Sequence, residues 1–87
     1  MSLQGKVIWL TGASSGIGES LAYELARKKV KLILSARRKE ELERVKGNCH
    51  PLAQPDIKLL PFDLAEAANL QLITEAAIHL FGHIDIL

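Results

Sequence analysis

The sequence predicts an α/β fold, a doubly wound parallel sheet, on three observations. Short apolar runs alternate with helical stretches in the order βαβαβαβ, starting at residue 6 and still running at residue 87. The stretches between runs are too long for hairpins and suit crossover connections between parallel strands. The first strand-to-helix junction carries Gly12, Gly16 and Gly18 within seven residues, the kind of turn that leads a central strand into a helix. Right-handed crossovers then give the strand order 3-2-1-4, with the sheet incomplete at the last strand.

Each element has its own signal. Residues 6–11 form the first strand, and the unbroken apolar run Val7-Ile8-Trp9-Leu10 suits a position covered on both faces. A helix is expected over residues 16–28, with Ile17, Leu21 and Leu25 on one apolar face, Ala22 and Ala26 beside them, and Arg27, Lys28 and Lys29 at its negative end. Residues 31–35 form a second strand. A short charged helix over residues 39–46 places Glu40, Glu41 and Glu43 near its N-terminus, before Gly47-Asn48 stops it. Pro51 and Pro55 keep the next segment irregular. A third strand spans residues 57–62, with Pro61 implying an edge-like end. The third helix covers residues 66–81, with Leu70, Ile73, Ala77 and Leu80 on one stripe and Gly82 closing it. Residues 84–87 begin a fourth strand, whose outer edge would be left without a neighbour.

The glycine junction is the stretch that carries chemistry. A helix N-terminus offers unpaired N–H groups and a partial positive charge, so it favours an anion. One glycine turns the chain off the strand, one lets backbone approach a pyrophosphate, and one lets the helix pack closely on the sheet. The spacing Gly-x-x-x-Gly-x-Gly departs from the common Gly-x-Gly-x-x-Gly fingerprint. A phosphate loop of the Gly-Lys-Ser/Thr type is excluded, because Glu19 follows Gly18 and would repel a phosphate. A plain structural turn is the competing reading.

The run Thr11-Gly12-Ala13-Ser14-Ser15-Gly16-Ile17-Gly18 resembles the cofactor signature of the short-chain dehydrogenase/reductase (SDR) family, letter for letter. Ser35-Ala36-Arg37-Arg38 and Ile84-Asp85-Ile86-Leu87 extend the resemblance over residues 5–87, and the overall similarity is strongest to the membrane-associated dehydrogenase/reductase branch. The resemblance implies a Rossmann-type fold in which residues 1–87 are the N-terminal cofactor-binding part of a single domain, truncated before the catalytic half. It implies cofactor contacts at Gly12, Ser14, Ser15, Gly16, Ile17 and Gly18, and an adenine-contacting pair at Asp63 and Leu64. Thr11 is expected to pin the loop by its hydroxyl. Asp63 has a second reading, as N-cap of the third helix.

The end of the second strand chooses between cofactors. In dinucleotide folds an acid about 20 residues past the motif holds the ribose hydroxyls. Here Ser35, Ala36, Arg37 and Arg38 stand in that place. An acid would repel a 2′-phosphate, whereas guanidinium groups grip it with charge-assisted bonds. NADP(H) is therefore the expected cofactor, with Arg37 its principal ligand, Arg38 beside it and Ser14 or Ser15 assisting. The competing reading makes Arg37 and Arg38 a solvated helix entry.

The expected activity is that of a parent oxidoreductase, NADP-dependent, interconverting a small-molecule alcohol and a carbonyl by hydride transfer. The alternative is a non-catalytic dinucleotide-binding module, a natural short product. The resemblance places the catalytic Tyr-x-x-x-Lys, serine and asparagine beyond Leu87, so no catalytic residue is assigned in this chain. Tyr23-Glu24-Leu25-Ala26-Arg27 is a near miss, with arginine for lysine and in the first helix. With 87 residues the chain is at most one small domain. A net charge of +1 gives no argument for nucleic acid. A lone Cys49 excludes an internal disulfide or a cysteine-based zinc site, and His79 and His83 read as solvent-facing, so no metal is assigned. No apolar run reaches the ~18 residues of a membrane span. The piece is expected to be soluble, its parent homo-oligomeric, and either cytoplasmic or anchored at the endoplasmic reticulum.

Overall fold

The computed structural model describes residues 3–63 and 70–87. β1 (Val7–Thr11) leads into α1 (Gly16–Ala26), β2 (Lys31–Ser35) and α2 (Lys39–Gly47). A 3-10 turn at Gln54–Asp56 precedes β3 (Ile57–Leu59), and α3 (Leu70–Phe81) follows. Among the described residues the strands form one parallel sheet in the order β3-β2-β1. Residues 84–87, expected to open a fourth strand, contribute a single parallel bridge from Ile86 to Ile8 on the other side of β1. The Trp9 N–H donates to the Ile86 carbonyl at 2.9 Å. The Asp85 carboxylate accepts from the Val7 N–H at 2.8 Å and lies 3.1 Å from His83 Nε2. The Val7 bond is the main cause holding the Asp85 carboxyl below its ordinary pKa.

The alternation of β1 and β2 side chains explains the double winding, since successive residues in a strand point to opposite faces. Ile8, Leu32 and Leu34 join Ala22 and Leu25 of α1 and Leu42 and Val45 of α2 in one core. Val7, Trp9 and Ile33 face the other way, onto Ala77 of α3 with Ile73, Leu80 and Phe81 at its margin. Ile33 and Leu34 are both fully buried, which is why β2 reads as continuous apolar sequence rather than alternation.

Two boundaries differ from expectation for identifiable reasons. α1 ends at Ala26, two residues early, and Lys29 has φ +58°, a left-handed residue that turns the chain into β2. β3 stops at Leu59, although the Leu60 and Phe62 N–H groups still donate to Leu34 and Ala36 carbonyls. Between them Pro61 has no N–H, as suits the sheet's edge strand. The expected start of the third helix at Glu66 lies outside the described residues. Among the described residues no helix is long and apolar enough to cross a membrane.

The larger correction concerns the face that α1 buries. Ile17 is 87% exposed and Leu21 43%, while Ala22 is completely buried and Leu25 nearly so. The helix meets the sheet through Gly18, Ala22 and Leu25, spaced four and three apart, not through the larger Ile17-Leu21-Leu25 stripe. Small side chains win because the start of α1 lies directly against the backbone after β1.

On the α3 face, Trp9 Nε1–H donates to Ser35 Oγ at 2.8 Å, both residues being buried. A buried donor without an acceptor costs about 1–3 kcal/mol. Ser35→Ala should therefore lower the unfolding free energy by about that amount in urea melts followed by circular dichroism. The double variant with Trp9→Phe should cost less than the two single changes added together, as coupled neighbours do.

Candidate functional site

The register of β1 with β2 sets Thr11 opposite Ser35, so both strands end level. The segments leaving the two strands must therefore emerge on the same side of the sheet: the glycine turn from β1 and Ala36-Arg37-Arg38 from β2. The Ala13 N–H ties the two together by donating to the Ser35 carbonyl at 3.1 Å. This is the carboxyl end of the parallel strands, where open α/β sheets bind ligands.

The glycines divide the work. Gly12 and Gly16 have φ of +66° and +56°, left-handed values that other residues rarely adopt. Gly18 has ordinary helical backbone, but a Cβ built on it would overlap the Gly12 carbonyl oxygen and crowd Ala13 Cα. Gly18 is thus the close-packing glycine. Ser15 is the N-cap of α1 in extended conformation and makes no capping bond with its side chain. Among the described residues no side-chain acceptor bonds the amides of Gly16, Ile17 or Gly18. The first turn of α1 therefore presents free donors and a partial charge of about +0.5.

Two adjoining pockets surround this turn. The first, about 460 Å³, lies between α1 and α2 and has Ser14, Ser15, Gly16, Arg37 and Arg38 in its wall. The second, about 260 Å³, opens toward β3 and is formed by Gly12, Ser14, Ala36, Arg37, Phe62 and Asp63. Ser14 and Arg37 belong to both, so the two read as one continuous cleft. Arg37 and Arg38 are exposed, and among the described residues neither forms an ion pair. Arg38 is also the N-cap of α2, where a cation opposes the helix dipole.

Of the residues singled out in the sequence, Gly12, Ser14, Ser15, Gly16, Arg37, Arg38 and Asp63 come together in this cleft. Ile17 does not line it, and only its backbone amide faces the same helix end. Gly18 supports the cleft from beneath. Leu64 lies outside the described residues. Thr11 reverses expectation: it lines the cleft, and among the described residues its hydroxyl makes no bond that pins the loop.

The loop is held instead by residues the sequence did not point to. Arg44 Nη2 donates to the Ser14 carbonyl at 3.0 Å and to Glu19 Oε1 at 3.1 Å, while Nη1 donates to Glu19 Oε2 at 3.0 Å. Its Nε donates to Glu41 Oε2 at 2.8 Å. Tyr23, the near miss for a catalytic tyrosine, donates its hydroxyl to Glu19 Oε2 at 2.7 Å. The bonds from Arg44 and then Tyr23 bring the Glu19 carboxyl down to about 2. The i,i+3 spacing of Glu41 and Arg44 was visible in the sequence. The reach across 25 residues to Glu19 was not.

Comparison with known proteins identifies this arrangement. Residues 6–87 match the family described as short chain dehydrogenase. The chain belongs to the short-chain dehydrogenase family. It is 51% identical to human dehydrogenase/reductase SDR family member 7 over 98% of the chain and 26% of that protein. The chain thus spans about a quarter of the length of these curated relatives. Among solved structures, 3-ketoacyl-(acyl-carrier-protein) reductase from Brucella melitensis, complexed with NADH, superposes with a TM-score of 0.81 at 34% identity, over 98% of this chain and 34% of that one. The C-domain of a bacterial malonyl-CoA reductase with NADP also gives 0.81, at 28% identity, over 95% and 14%. The chain therefore has the Rossmann-type fold of these solved structures.

The contact beneath the cleft is directly testable. Gly18→Ala forces a methyl group into the Gly12 carbonyl and should lower stability by about 1–3 kcal/mol, the usual cost of overpacking. Gly47→Ala, where an added Cβ meets nothing within 4 Å, should leave the urea midpoint unchanged or raise it.

Proposed function

We propose that residues 1–87 form the NADP(H)-binding N-terminal part of a single Rossmann domain, in an oxidoreductase that interconverts an alcohol and a carbonyl. The observation that carries this reading is the joint placement of Arg37 and Arg38 with Ser14, Ser15 and Gly16 in one pocket. Family membership supports a nicotinamide dinucleotide, and neighbours with NADH and with NADP leave the arginines to decide between the two forms.

The residues fit such a cofactor on this chain's own geometry. The left-handed Gly12 and Gly16 keep the turn free of side chains, and the unbonded amides of the first α1 turn would receive the pyrophosphate. Arg37, shared by both pockets, would hold the ribose 2′-phosphate, with Arg38 and the Ser14 or Ser15 hydroxyl assisting. Asp63 would accept from the adenine amine at the far end of the cleft. When bound, the nicotinamide supplies or accepts the hydride. The proton donor and the substrate pocket, in this reading, belong to sequence beyond Leu87, consistent with relatives about four times longer.

A charge-assisted hydrogen bond contributes about 1.5–3 kcal/mol. Arg37→Gln should accordingly weaken NADPH binding by about tenfold or more, with NADH affinity within about threefold of the parent. Titration of both nucleotides by calorimetry reads this out. Tighter binding of NADH than of NADPH by the unmodified chain would contradict the assignment.

A further inference from the structure

The pocket assigned to the 2′-phosphate contains an apparent contradiction. Glu19 and Glu41 share its wall with Arg37, Arg38 and Arg44. Two carboxylates beside a dianionic phosphate should oppose binding as strongly as two arginines favour it. The geometry of Arg44 lessens the conflict. Its guanidinium takes both Glu19 oxygens in a bidentate pair and one Glu41 oxygen through Nε. Its fourth bond goes to the Ser14 carbonyl, turning that oxygen toward the guanidinium. The side chains of Arg44, Glu19 and Glu41 are 44%, 24% and 46% exposed, so this network sits at the rim and not in the core.

We propose that Arg44 is a specificity-determining positioning residue. It pairs with both Glu19 and Glu41, offsetting one of their two charges, and holds the Ser14 end of the glycine turn, so that Arg37 and Arg38 leave the pocket positive on balance. This rests on the NADP(H) reading above. The lowered Glu19 pKa agrees with it, since the bond from Arg44 is its largest cause. Arg44 touches no cofactor atom in this account and acts through the two carboxylates. Its loss should therefore penalise ligands in proportion to phosphate charge at the ribose.

The test compares 2′,5′-ADP with 5′-AMP on the full chain by calorimetry at fixed ionic strength. Arg44→Met should reduce 2′,5′-ADP affinity by about tenfold while 5′-AMP changes by less than about threefold, a difference of at least ~0.7 kcal/mol in selectivity. Adding Glu19→Gln to Arg44→Met should recover a substantial part of the lost selectivity, which a purely structural role would not give. Arg44→Lys keeps the charge without the fork and should show selectivity between that of the parent and that of Arg44→Met. It also carries the test if circular dichroism shows the methionine variant unfolded, and selectivity lost in a folded Arg44→Lys chain then overturns the proposal. An equal loss for both ligands in Arg44→Met, or no recovery in the double variant, overturns it as well. If the unmodified chain shows no preference for 2′,5′-ADP, the NADP(H) reading fails and takes this proposal with it. A preference that Arg44→Met leaves intact overturns the role of Arg44 alone.

Discussion

The level pairing of β1 with β2 is the constraint on which the rest of the molecule depends. Because Thr11 stands opposite Ser35, two segments 24 residues apart leave the sheet side by side. A shift of one residue would turn every β1 or β2 side chain to the opposite face. It would also separate the glycine turn from Ala36-Arg37-Arg38. The Ala13 N–H to Ser35 carbonyl bond and the Trp9 to Ser35 side-chain bond both depend on this register. Ser35 therefore serves the cleft through its backbone and the core through its side chain.

Electrostatics then acts on the groups that the register brings together. The first turn of α1 points unbonded amides toward the cleft, and Gly18 keeps that turn pressed against the Gly12 carbonyl. Arg37 and Arg38 stand exposed beside it, while Arg44 is committed to Glu19, Glu41 and the Ser14 carbonyl. The three arginines are thus not equivalent. One anchors the loop against α2, and two face solvent at the mouth of the cleft.

Much of this was legible in the sequence, and the failures have a common cause. β2 was bounded to the residue, since its buried run from Leu32 to Ser35 opens on the exposed Lys31 and is followed closely by Arg37 and Arg38. The glycine spacing located the turn, and the arginine pair located the second wall of the pocket. Reasoning from side-chain size then misjudged α1. It put Ile17 and Leu21 on the buried face, whereas the close-packing glycine and Ala22, expected beside them, form the contact where the helix meets backbone instead of side chains. Local pattern also missed the Arg44–Glu19 pair, because that contact exists only after α1 and α2 pack on the same face of the sheet. Glu19 looked like a residue hostile to phosphate in one dimension. In three dimensions its charge is already answered.

The central claim is that the α1 N-terminus and the arginines after β2 form one anion seat. Amide chemical shifts of the nitrogen-labelled chain, recorded while 2′,5′-ADP is added, test it most directly. The account predicts concerted, saturable shifts of the Gly16, Ile17 and Gly18 amides together with the Arg37 Nε resonance, all fitting one dissociation constant. Unmoved α1 amides, or shifts confined to a different part of the surface, would contradict it.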